Sequence, residues 1–142
     1  QKLYDLLFGS FNKRFSNQRT DFDWLSRDQK EVDAYIQDPL CGFPFTAAAY
    51  LDLISLQYYS NTKLWYKTLP QNLPMLLISG SMDPVGGYGK GISAIAKNLH
   101  NVGIQDLTVW LYPEARHELL NELNRDEVMR DVLSWLALHS AE

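Results

Sequence analysis

Asp83 and His117 are the two residues whose types and positions suit acid–base chemistry. Asp83 closes the stretch Gly80-Ser81-Met82-Asp83, which follows the apolar run Met75 to Ile78. His117 closes Pro113-Glu114-Ala115-Arg116-His117, which follows a second apolar run, Leu107 to Tyr112. If both runs are parallel strands, Asp83 and His117 leave the same carboxyl edge, where open α/β sheets place their sites. There the carboxylate can hold the imidazole in one tautomer and stabilise the imidazolium, while the imidazole exchanges protons with a nucleophile. Each residue alone has a plainer reading, since Asp before Pro starts turns and most loop histidines are surface groups. The ordered pair at two strand ends is the more informative signal. His100 and His139 fall near expected helix C-termini, where a cation suits the dipole.

The elements needed to position this pair can be read from apolar spacing. Met75 to Ile78, bounded by Pro74 and Gly80, has the continuous apolar character of a strand buried on both faces. Gly86 to Gly91 leads into a helix with Ile92, Ile95, Ala96, Leu99 and Val102 on one side and Gly103 at C′. Leu107 to Tyr112 is the second strand, stopped by Pro113. Asn124 and Glu127 resemble a capping box for a last helix whose expected buried face is Val128, Val132, Trp135 and Leu136. Strand, crossover helix, strand, helix predicts a right-handed βαβα unit of a parallel sheet.

Residues 1–72 read differently, as helices joined by polar loops without a convincing strand. Ser26 stands three residues before Gln29 in capping-box spacing, which predicts a helix ending before Asp38-Pro39. Thr46 is the expected cap of a helix carrying Leu51, Ile54 and Tyr58, and a shorter helix runs from Thr62 to Leu69. Asp21-Phe22-Asp23 reads as a solvated turn.

Composition bounds the function. The chain has 142 residues, 46% of them hydrophobic, and a net charge of −4. No basic stripe appears, so nucleic acid is not an expected partner. No apolar run approaches the roughly 20 residues of a membrane helix. The single Cys41 excludes a disulfide framework and a multi-cysteine zinc site, and suits a reducing, cytoplasmic compartment. No metal or other cofactor is expected.

Three familiar signatures fail. A phosphate loop ending at Gly89-Lys90 would need glycine at Pro84 and Ser or Thr at Gly91. A dinucleotide fingerprint from Gly87 would need glycine at Ile92. A zinc-protease motif from His117-Glu118 would need histidine at Asn121. The nucleophile elbow G-x-S-x-G is also absent, since Gly91-Ile92-Ser93-Ala94-Ile95 fails at its fifth position, and no HGGG-type oxyanion loop is present.

The series Leu73 to Gly80, Ser81-Met82-Asp83-Pro84-Val85-Gly86, Lys90-Gly91, Leu111-Tyr112, Ala115-Arg116-His117-Glu118 and Asn121-Glu122 resembles the C-terminal half of an α/β-hydrolase. Within that fold it is similar to the lysophospholipase, monoacylglycerol lipase and serine-aminopeptidase-type group. The resemblance implies a helical cap over residues 1–72 and a core with the triad acid Asp83 and base His117 over residues 73–142. It implies a small-molecule ester or lipid substrate, hydrolysed by Ser-His-Asp acyl transfer. Phe43, Phe45 and Tyr50 either line an acyl pocket or simply pack the cap on the core. The chain begins Gln1-Lys2-Leu3 without an initiator methionine. Its serine, oxyanion hole and first strands are expected upstream, so the chain alone is expected to be inactive. Two alternatives stand beside this reading. One is a non-catalytic module that associates, with itself or with the N-terminal half, through an exposed sheet edge. The other is a small anion-binding α/β domain using the glycine-rich turn.

Overall fold

Prolines and glycines punctuate the chain where its elements begin and end. The structure is a computed structural model that describes residues 2–140. In chain order it contains α1 (Lys2–Phe8), α2 (Gln29–Gln37), α3 (Ala47–Ser60), α4 (Lys63–Lys67) and β1 (Met75–Gly80). There follow α5 (Lys90–Asn101), β2 (Leu107–Tyr112), a short 3-10 turn (Leu119–Asn121) and α6 (Arg125–His139). The outer ends of the two expected segments, residues 1, 141 and 142, lie outside the described residues.

β1 and β2 pair in parallel, from Met75 opposite Leu107 to Gly80 opposite Tyr112. Because side chains alternate along a strand, the sheet has two apolar faces, and each meets a different helix set. Met75, Leu77 and Leu107 pack with Tyr66, Leu99 and Ile104, beside Ile95 of α5 and Trp65 of α4. Ile78, Trp110 and Tyr112 pack on the other face with Ala115, Leu119, Val128 and Val132. The expected βαβα order is therefore present, but the strands are not buried on both faces as expected: Met75 to Ile78 are half-buried, and Val109 and Leu111 of β2 are exposed. Gly103, at φ +97°, turns the chain out of α5 as its C′ position requires.

Several local expectations need correction. The cap of α2 is Asp28, whose carboxylate accepts from Lys30 N–H at 3.0 Å. Ser26 instead donates its hydroxyl to the Asn121 carbonyl at 2.7 Å, a tertiary bond that sequence spacing cannot reveal. Asn124 does precede α6 but makes no side-chain cap bond, because its Oδ1 accepts from Arg27 Nη2 at 2.7 Å. Asp23 is buried rather than solvated, accepting from Thr20 Oγ1 and Arg19 N–H. Leu136 is exposed, while Val128 forms the buried face of α6. Thr46 caps α3 as expected, but Leu51, Ile54 and Tyr58 are exposed and only Tyr50 is buried.

Gly80 fixes the distance between the two loops that leave the sheet. A Cβ there would stand 2.2 Å from the carbonyl oxygens of both Ala115 and Arg116. Neither is a flexible side-chain end, so the loop carrying His117 would have to lift. Gly80→Ala is expected to lower unfolding free energy by about 1–3 kcal/mol, measured by urea denaturation. An unchanged denaturation midpoint would contradict this close approach.

Candidate active site

The loop after β1 is organised around Asp83. Its N–H donates to the Gly80 carbonyl at 3.2 Å, and its own carbonyl accepts from Tyr88 N–H at 2.8 Å. The carboxylate oxygen Oδ1 accepts from Val85 N–H at 2.8 Å, an Asx turn that fixes the side chain. The residue is buried. Gly86 keeps the opposite side open, since a Cβ there would lie 3.1 Å from Asp83 Oδ2.

The loop after β2 is laced to the first one. Ser81 N–H donates to the Tyr112 carbonyl and Met82 N–H to the Ala115 carbonyl, both at 2.9 Å. Glu114, at φ +59°, donates its N–H to Ser81 Oγ at 2.8 Å. These bonds bring His117 Nδ1 to 3.1 Å from Asp83 Oδ1. In the Nδ1–H tautomer the imidazole donates to the carboxylate, leaving Nε2 to accept a proton. The His117 side chain is 37% exposed against 10% for Asp83, so the ring is reachable and its orienting carboxylate is shielded. Trp24 packs on the imidazole with ring centroids 5.3 Å apart. Sequence spacing gave no hint of Trp24, because the contact joins residues far apart in the chain.

Phe43, Phe45 and Tyr50 form a ring cluster, with centroid separations of 5.9 Å and 5.5 Å along that order. With Trp24, Phe22 and Tyr35 they line a cavity of about 330 Å³. Trp24 thus touches both the cavity and His117. Burial, followed by the charge of Asp38, pushes the Cys41 thiol above its ordinary value. That direction opposes thiolate formation and argues against Cys41 as a nucleophile.

The nearby serines are engaged elsewhere. Ser79 Oγ donates to the Gly80 carbonyl, Ser81 Oγ accepts from Glu114, and Ser93 Oγ donates to Gly89 within the first turn of α5. The glycine-rich turn offers no ready anion cradle, since Lys90 and Gly91 N–H donate to the carbonyls of Gly87 and Gly86. Among the described residues, no group of three or more His, Cys, Asp or Glu side chains is placed to hold a metal ion. No described helix is long and apolar enough to cross a membrane.

Tyr112, at the end of β2, supplies a pH-dependent contribution to the same region. It is buried and donates its hydroxyl to Asp131 Oδ2 at 3.1 Å. Burial first, then the hydrogen bond and charge of Asp131, push its pKa from 10.0 to about 12. The folded state holds this proton more tightly than the unfolded chain. The resulting stability is complete below pH 10.0 and is lost as pH rises toward about 12. Tyr112→Phe is expected to flatten that alkaline loss, as read by thermal unfolding across the same window.

A parallel βαβα unit with an Asp–His pair at its strand ends is the arrangement of an α/β-hydrolase. The chain belongs to the serine aminopeptidase S33 family, whose sequence pattern matches residues 1–124. It is 28% identical over 126 residues to a monoacylglycerol lipase of Mycolicibacterium smegmatis, covering 86% of this chain and 41% of the relative. A thermostable carboxyl esterase from Bacillus coagulans, solved with glycerol, superposes with a TM-score of 0.87 at 27% identity. That match covers 96% of this chain and 44% of the esterase. A lipase solved in an open form gives a TM-score of 0.89 at 27% identity, over 100% of this chain and 46% of the lipase. The chain therefore spans less than half the length of these relatives, and the group they define is one of lipase- and esterase-type hydrolases.

Proposed function

We propose that this chain carries the acid and base of a serine carboxylic ester hydrolase of lysophospholipase or monoacylglycerol-lipase type. The observation that carries the reading is the 3.1 Å approach of His117 Nδ1 to Asp83 Oδ1 at the carboxyl edge of two parallel strands. On this reading the nucleophilic serine comes from outside these 142 residues, which hold no G-x-S-x-G elbow. His117 Nε2 takes the serine proton as the hydroxyl attacks the ester carbonyl. It then returns that proton to the departing alcohol, leaving an acyl-enzyme. Water, deprotonated by the same nitrogen, attacks the acyl carbon; the acid leaves and the serine regains its proton. Asp83 stays ionised throughout, holding the tautomer and the transient imidazolium.

Residues 1–72 act as the helical cap and residues 73–142 as the core. Phe43, Phe45 and Tyr50 take the acyl chain, a reading supported by the shared Trp24 wall between their cavity and His117. The free edge of β1, beside a groove of about 530 Å³ lined by Leu76, Ile78 and Ile92, receives further strands of the same enzyme. Self-association through that edge is the second reading, favoured by the exposed apolar residues of α3. A monomeric mass by light scattering at high concentration would remove it.

The test is turnover of nitrophenyl esters by the intact protein, with an aminoacyl nitroanilide as the peptidase arm. Ester hydrolysis is expected from the intact protein and none from residues 1–142 alone. Turnover by the isolated chain that disappears on His117→Ala would overturn the assignment of the serine to another segment.

A further inference from the structure

Among the described residues, Glu122 is the largest side chain with no exposed surface. An interior carboxylate is tolerated only when its charge is paired and its oxygens are hydrogen-bonded. Glu122 meets both conditions, through donors from separate parts of the chain. Oε1 accepts from the N–H of Arg27 at 3.1 Å and of Arg116 at 2.8 Å. Oε2 accepts from Arg27 Nε at 2.8 Å and from Leu123 N–H at 3.0 Å.

One of those donors is the peptide N–H of Arg116, the residue directly before His117. The Arg116 side chain reaches the other way, donating to the carbonyls of Asp23 and Ser26, with its guanidinium over the Phe15 ring. His117 N–H then donates to the Trp24 carbonyl, and Glu118 N–H to the Leu25 carbonyl at 2.8 Å. Segment 23–27 and the His117 loop are thus fastened along their length, and Glu122 accepts from both. Trp24, the ring against which the imidazole rests, belongs to the fastened segment.

We propose that Glu122 is the positioning residue of His117, fixing the Arg116 peptide against segment 23–27 so that the imidazole keeps its aim at Asp83. This rests on the reading of His117 as the base. Glu122 accepts from the backbone beside the imidazole rather than from the ring, and acts through that backbone and Trp24. The arrangement also makes segment 23–27, which leads into α2, part of the machinery that orients the base.

The substitution that tests it is Glu122→Gln in the intact protein. An amide keeps the shape but turns one acceptor into a donor, facing either a peptide N–H pair or Arg27 Nε with Leu123 N–H. A tilt of the imidazole on the order of 1 Å is expected to lower kcat about 10²-fold with KM nearly unchanged. The direct readout is the proton NMR resonance of His117 Nδ1–H, shifted downfield by its bond to Asp83 and assigned by its absence in His117→Ala. In folded Glu122→Gln it is expected to broaden or move upfield. If Glu122→Gln does not fold, Arg27→Lys replaces it, keeping the charge and all backbone donors while removing Nε; a smaller change of the same sign is expected. A folded variant with the resonance and kcat both unchanged would overturn the proposal. Should His117→Ala leave ester turnover intact, the hydrolase reading falls, while the resonance still decides whether Glu122 orients the ring.

Discussion

Replacing His117 with alanine in the intact protein is expected to lower kcat for ester hydrolysis about 10⁴-fold or more, with KM changed little. In the proposed mechanism the imidazole carries the serine proton both ways, so its loss removes transition-state interactions rather than uniform binding. Asp83→Asn is expected to cost nearly as much, about 10³- to 10⁴-fold, although the two side chains have the same shape. An asparagine can present an N–H to Nδ1 and so favour the wrong tautomer. The carboxylate cannot, because it only accepts. Both variants should keep the wild-type circular dichroism spectrum, since the 3.1 Å contact lies at the carboxyl edge of the sheet and outside the two apolar clusters. Steady-state kinetics on a nitrophenyl ester reads the effect, and less than a tenfold loss for either variant would remove that residue from the mechanism.

The second large effect falls on stability. Arg27→Ala is expected to lower the unfolding free energy by about 3–5 kcal/mol, against a typical total of about 5–15 kcal/mol. The substitution leaves the fully buried Glu122 without its cationic partner at 2.8 Å, and also frees Asn124 Oδ1. Adding an apolar residue at 122 is not expected to rescue it. The N–H groups of Arg27, Arg116 and Leu123 would then be buried without an acceptor. Urea denaturation reads the loss as a lower midpoint with an unchanged slope. A change below about 1 kcal/mol, the range of an exposed pair, would contradict the interior role of this network.

The strand order and the approach of Asp83 to His117 were legible in the sequence because their signals are local. Strands flanked by Pro74 and Pro113, and the helix stop at Gly103, depend on backbone geometry that a few residues dictate. Asp83 and His117 follow, since the residue after a strand end needs only the strand to be placed. What could not be read depends on partners distant in the chain. Ser26 has the spacing of a helix cap, yet its hydroxyl is drawn to Asn121, leaving Asp28 to cap α2. Asn124 is diverted in the same way by Arg27. Asp23 reads as a solvated acid until Thr20 and Arg19 are seen closing over it. Burial would raise its pKa, but those bonds outweigh burial and hold the carboxyl below its ordinary value. Helical spacing in α3 marked Leu51, Ile54 and Tyr58 as one stripe, but spacing does not say what covers a stripe.

The central claim is that His117 and Asp83 activate a serine supplied from outside residues 1–142. Fluorophosphonate labelling of the intact protein, followed by peptide mass spectrometry, tests it most directly. The expected result is a single serine adduct on a peptide outside this segment, with the labelling rate reduced at least about 10²-fold by His117→Ala. An adduct on Ser79, Ser81 or Ser93, or labelling as fast in His117→Ala as in the parent, would contradict it.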